Sequence, residues 1–140
     1  MASVLRVSDA ASMGLHAMVL LAAEPDRLHS THRVAARLRV SAAHLSKVLQ
    51  RLARAGLVTA TRGPRGGYGI RPGGGRMPLL RIYEALEGRL NPTNCLLATP
   101  LCGGRRCIFG DLLKKLNREV RQHLAKTTLS DAVQVYRGRK

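Results

Sequence analysis

Residues 41–68 read SAAHLSKVLQRLARAGLVTATRGPRGGY, and the reading of the whole chain turns on them. At 100° per residue, Leu45, Val48, Leu49 and Leu52 fall on one stripe, the i, i+3, i+4, i+7 pattern of a helix facing a core. The opposite side carries Ala43, Lys47, Gln50 and Arg54, with His44, Ser46 and Arg51 on its shoulders. Small residues permit close approach to a duplex, cations meet phosphates or guanine, and Gln pairs with adenine. A basic solvated face is the plainer reading of this helix alone, and its surroundings decide between the two.

Those surroundings favour DNA. Ser41 can cap the helix through its hydroxyl, and Gly56 sits where a left-handed cap would end it. Leu57 to Thr61 is β-prone, Arg62-Gly63-Pro64-Arg65-Gly66-Gly67 forms a tip, and Tyr68-Gly69-Ile70 returns. A hairpin after a recognition helix is a wing. Its glycines let backbone approach a duplex, and Arg62 and Arg65 suit a minor groove. A phosphate-cradling loop is the rival, but no Walker Lys-Ser/Thr and no helix start follow. Upstream, Ser30 or Thr31 opens a short helix through Leu38 with Val34 and Leu38 inward, and Arg39-Val40 makes the turn. Two short helices so joined form a helix-turn-helix, here without the frequent turn glycine. Before them, Ser8 and Asp9 cap a helix with a stripe of Leu15, Met18, Val19 and Ala22, ending at Glu24-Pro25-Asp26.

Charge supports the same partner. The net charge is +16 in 140 residues, and no carboxylate lies between Asp26 and Glu84. Twelve cations fill that gap, a field directed at a polyanion. No segment pairs a basic face with the bulky exposed apolar face that membrane surfaces require. The longest apolar run, Met13 to Ala23, is too short to span a bilayer, and no signal-peptide cleavage pattern is present, so a cytoplasmic protein is expected. Double-stranded DNA is the expected partner, and no membrane.

Beyond the wing, residues 71–76 (RPGGGR) read as a turn or short linker. Leu79, Ile82, Tyr83 and Leu86 mark a helix stopped by Gly88. From Asp111, Leu113, Leu116, Val120 and Leu124 recur on a long helix whose narrow seam suits pairing with its own copy. Thr128 and Asp131 form a capping box for a last helix to about Tyr136. The expected fold is mainly α with a small β-hairpin wing. It comprises a winged helix-turn-helix domain (residues 1–77), then a linker helix, a cysteine loop and a dimerisation helix (78–140).

The three cysteines, Cys95, Cys102 and Cys107, lie in NCLLATPLCGGRRCIFG. Thiolates ligate iron–sulfur clusters, and loop glycines and prolines let backbone wrap a compact metal core. Six and then four residues separate them, which is not the two-residue knuckle of a zinc ribbon. A cluster, a metal-free thiol switch and a structural zinc are all compatible with these residues. An enzyme is not expected, because no CxxC pair and no oriented base accompany the thiols. A nonspecific nucleic-acid packer would explain the charge but neither the wing nor the loop.

The ordered series SMGLHAMVLLA, VSAAHLSKVLQRLARAGLV, RGPRGGYGI, IYEALEG, three cysteines and TLSDAV resembles the bacterial winged-helix regulators typified by IscR, NsrR, RirA and CymR. The resemblance covers nearly the whole chain. It implies a homodimeric transcription regulator, a repressor, switched by a [2Fe–2S] or [4Fe–4S] cluster on Cys95, Cys102 and Cys107. The alternative is a cluster-free regulator of the same fold that uses thiol oxidation or a protein partner. Some relatives add a carboxylate from the first helix of the partner subunit, where this chain has Ser12. One turn later stands His16, a position from which a relative supplies imidazole. The DNA-binding set so expected is Ser41, Ala43, His44, Ser46, Lys47, Gln50 and Arg51 on the helix, with Arg62 and Arg65 in the wing.

Overall fold

The computed structural model describes residues 7–90, 95–103 and 106–137. Six helices and one hairpin follow in the order α1 (Asp9–Ala23), α2 (Thr31–Leu38), α3 (Ala42–Arg54), β1 (Thr59–Thr61), β2 (Gly67–Gly69), α4 (Leu79–Glu87), α5 (Leu112–Lys126) and α6 (Leu129–Arg137). The fold is mainly helical with a two-stranded antiparallel wing, as the sequence pattern predicts.

α1 is the axis. Ser8 caps it by accepting from the Ala11 amide at 3.1 Å. Its apolar surface is wider than the expected stripe: Ala11, Gly14, Ala17, Met18, Val19, Leu20 and Leu21 are all buried, while Leu15 and Ala22 are only half-buried. The reason is that α2, α3, α4, α6 and β2 all pack around this helix. A helix covered on several sides needs apolar residues on all of them. Gly14 marks the tightest crossing, since a Cβ there would lie 2.2 Å from Cδ1 of Leu86 on α4.

α2 and α3 form the helix-turn-helix. Ser30 and Ser41 cap them by accepting from the Arg33 and His44 amides. The predicted stripe of α3 is the observed one, with Leu45, Val48, Leu49 and Leu52 no more than 2% exposed. Burying each contributes on the order of 2 kcal/mol. The turn between the helices needs a left-handed residue, and Arg39 takes it at φ 57, ψ 45. The amides of Arg39 and Val40 return to the Ala36 and Ala35 carbonyls, closing the helix end as a glycine would.

In the wing, Thr59 pairs with Gly69, Ala60 with Tyr68 and Thr61 with Gly67. A third extended segment, unforeseen in the sequence, joins it: His29 and Tyr68 exchange backbone hydrogen bonds of 2.8 and 2.9 Å. This accounts for Gly67, whose Cβ would meet the His29 carbonyl oxygen at 2.6 Å. Residues 73–75 are not a loose linker either. Gly74 and Gly75 carry a 3-10 turn pressed on Ile70 and Ser130, where added Cβ atoms would come within 2.3 and 2.4 Å.

α4 and α6 close the same core. Ile82, Leu86, Leu129 and Val133 are buried together with the α1 and α3 side chains, so one core spans both sides of position 77. Backbone hydrogen bonds from Leu79 to Thr127 and from Leu129 to Met77 tie the starts of α4 and α6 together. The capping box forms as expected: the Thr128 amide donates to Asp131 Oδ2 at 3.0 Å, and the Asp131 amide to Thr128 Oγ1 at 3.2 Å.

Two outcomes follow from this packing. Gly14→Ala should destabilise the fold by about 1–3 kcal/mol through overpacking, read as a lower urea midpoint. Leu86→Ala in the same chain should recover part of that loss, and strictly additive losses would contradict the crossing described. The Thr128 amide, and then its hydroxyl, hold the Asp131 carboxyl below its ordinary value of 3.8. The box therefore stabilises the fold above the carboxylate range and stops doing so as pH falls through the lowered value. Urea midpoints of wild type and Asp131→Ala should differ most near neutrality and converge in acid.

Candidate nucleic-acid interface and cysteine loop

The exposed side of α3 carries Ala43, His44, Lys47, Gln50 and Arg54. Ser41 is engaged as the cap of this helix, and Ser46, half-buried, accepts from Gln50 Nε2 at 3.3 Å. Arg51 is exposed on the shoulder of this face, and its guanidinium donates to the carbonyl of Leu86 near the end of α4.

At the wing tip, the Gly66 amide closes on the Gly63 carbonyl at 2.9 Å, which puts Pro64 and Arg65 at the apex. A Cβ on Gly66 would meet the Thr61 carbonyl oxygen at 2.0 Å. The wing glycines are thus needed by the turn itself, before any duplex approaches. Arg62 is exposed at the end of β1, beside the apex. Between α3 and the wing runs an open cleft of about 480 Å³.

The cysteine loop is the second candidate site. Residues 91–94 and 104–105 of that segment lie outside the described residues. Cys95, Cys102 and Cys107 are all free thiols and line one pocket of about 210 Å³ with Leu96, Leu97 and Leu101. The Leu97 amide donates to Cys95 Sγ and the Phe109 amide to Cys107 Sγ, each at 3.4 Å. Cysteine sulfur is the soft donor type that iron–sulfur clusters take. Among the described residues, no three metal-ligating side chains converge into a ready coordination set. The three cysteines fit an iron–sulfur cluster in kind.

His16 is not a core histidine. It is exposed on α1, with Nδ1 2.7 Å from the Ser12 carbonyl oxygen. A carbonyl can only accept, so Nδ1 is the donor of this pair and Nε2 is the nitrogen that the bond leaves unused.

The pattern that defines the iron-dependent transcriptional regulators called Rrf2 matches residues 7–135. The chain belongs to the Rrf2 family. Its Rrf2 relatives include a Neisseria meningitidis protein named for a helix-turn-helix-type transcriptional regulator, 32% identical over 101 residues, 72% of this chain and 68% of that one. The regulator IscR of Xenorhabdus nematophila is 29% identical over 94 residues, 67% of this chain and 57% of that one. Among solved structures, the global cysteine regulator CymR of B. subtilis superposes with a TM-score of 0.75 at 26% identity, covering 94% of this chain and 98% of that one. The chain is accordingly a DNA-binding transcription regulator and not an enzyme. No helix among the described residues is long and apolar enough to cross a membrane.

The contact of Arg51 with the Leu86 carbonyl has a measurable consequence. Arg51→Ala should lower folding stability by about 1 kcal/mol through loss of one charged hydrogen bond. The dependence of DNA affinity on salt should stay as in wild type, and a slope lowered by about one would return Arg51 to the phosphates.

Proposed function

We propose that the chain is a homodimeric repressor of the bacterial cytoplasm, whose operator affinity is set by an iron–sulfur cluster at Cys95, Cys102 and Cys107. The observation that carries the reading is the gathering of all three thiols on one pocket, two of them receiving amide hydrogen bonds. Arg51 supports the coupling, because it joins the recognition helix to the helix that leads into the cysteine loop. α5 supports the dimer: none of its residues is buried within one chain, and Leu112 and Leu116 are 46% and 39% exposed. Pairing two such seams would place two α3 helices on a pseudo-palindromic operator, with half-sites about one or two helical turns apart. Ala43, His44, Lys47 and Gln50 would read or edge the major groove, and Arg65 the minor groove.

When bound, the cluster would supply a redox- and ligand-sensitive centre whose fourth corner is not a cysteine of this loop. His16, with Nδ1 engaged by the Ser12 carbonyl, offers its Nε2 for that corner. Imidazole is a neutral donor that exchanges from iron more readily than anionic thiolate, which makes that corner the place where a signal enters.

A second reading is a cluster-free regulator acting through thiol oxidation. It is favoured by the absence, among the described residues, of a converged ligand set and by the fold shared with Staphylococcus aureus CymR, a protein also solved in an oxidised form. Anaerobic purification with iron and acid-labile sulfide quantification separates the two. The cluster reading expects coloured protein containing both elements, and loss of both in Cys107→Ser. Colourless, iron-free protein whose DNA binding responds to thiol oxidation would establish the second reading instead.

A further inference from the structure

A cavity of about 330 Å³ lies at the base of the wing, bordered by the end of α1, the stretch from Ile70 to Gly75 and the start of α6. None of its lining residues belongs to α3 or to the cysteine loop. Neither the DNA-binding set nor the cluster site makes any use of it.

Charges of both signs border this cavity. Asp26 comes from the loop after α1 and Arg71 from just beyond β2, and both are exposed. The ion pairs among the described residues are Arg27 with Glu24 and Arg121 with Glu84, so Asp26 and Arg71 meet neither each other nor another charge. The Arg71 guanidinium rests toward the turn at Gly56, where an added Cβ would lie 4.0 Å from its Nη2. Opposite charges that border one cavity without meeting suit a ligand that carries both.

The glycine turn supplies donors beside them. Gly73 is left-handed at φ 77, ψ 2, and the Gly74 amide turns back to the Arg71 carbonyl at 2.8 Å. The Gly73 and Gly75 amides have no backbone acceptor among the described residues. Amides presented by such a turn form a concave seat for an anionic group. The Ser130 hydroxyl, also without a partner among the described residues, lies so close to Gly75 that an added Cβ would collide with its Oγ. Ala22, Ile70 and Pro72 leave an apolar remainder, enough for a short aliphatic group.

We propose that this cavity binds a small zwitterion of the α-amino acid class. Asp26 accepts from the ammonium group. The Gly73 and Gly75 amides and the Ser130 hydroxyl donate to the carboxylate, and Arg71 adds positive charge from the rim. Ile70 directly follows β2, and Asp26 lies three residues before His29, whose backbone bridges to Tyr68 of the wing. An occupant therefore ties together the two segments that hold the wing. The assignment does not depend on the cluster.

The test is equilibrium dialysis of the full-length, anaerobically purified protein against L-alanine, L-valine and L-leucine at up to millimolar concentration. At least one should bind, and its N-acetyl and carboxamide derivatives, which each lack one charge, should bind about tenfold more weakly. Asp26→Asn should weaken the parent amino acid by about tenfold and leave the N-acetyl derivative unchanged, because only the parent carries the ammonium group. Ser130→Ala should weaken the parent and the N-acetyl derivative alike. Urea midpoints close to wild type for both variants exclude misfolding as the cause. Wild type that binds none of the three amino acids overturns the proposal. Binding untouched by both substitutions places the ligand elsewhere and overturns it too, and an N-acetyl derivative that binds as tightly as its parent overturns the zwitterion class.

Discussion

The anchoring of the α4 end is the constraint on which the arrangement of the sites depends. A helix terminus leaves carbonyl groups without intrahelical partners, and here they are taken by other elements. Arg51 of α3 binds the Leu86 carbonyl, and Arg121 of α5 binds the Leu90 carbonyl at 3.2 Å and the Glu84 carboxylate at 3.5 Å. Ser8, at the start of α1, donates to the Glu87 carboxylate, and the Leu86 side chain lies against Gly14. Three helices therefore converge on one turn of a fourth. That turn stands between the recognition helix and the segment that carries the cysteines.

Much of this was legible because local signals and tertiary needs agreed. The α3 stripe, the serine caps, the wing and the capping box each follow from a short pattern whose physical cause lies within a few residues. What could not be read was set by elements distant in sequence. α1 is apolar nearly all round because five other elements pack on it. Gly67 is glycine because the His29 backbone crosses it, and Gly75 lies against the Ser130 hydroxyl. Arg51 sits on the shoulder of a basic face, and nothing nearby in sequence reveals a carbonyl 35 residues away. Arg39 is the reverse case: a turn position that ordinarily calls for glycine is held by a cation, through two backbone hydrogen bonds that tolerate the left-handed conformation.

The site was legible to a different degree at its two ends. The DNA face announces itself through an acid-free span that only a polyanion rationalises. The cysteine loop announces a chemistry, three thiols on one pocket with amide hydrogen bonds to two of them. His16, one turn after Ser12 on α1, is exposed, and its Nδ1 is engaged by the Ser12 carbonyl.

The central claim is that the reader formed by α3 and the wing is governed from the cysteine loop. The most direct measurement is the affinity of cluster-loaded and cluster-free protein for one operator at one fixed salt concentration. The account predicts at least a tenfold difference, equivalent to about 1.4 kcal/mol of coupling between the two sites. Equal affinities would contradict it.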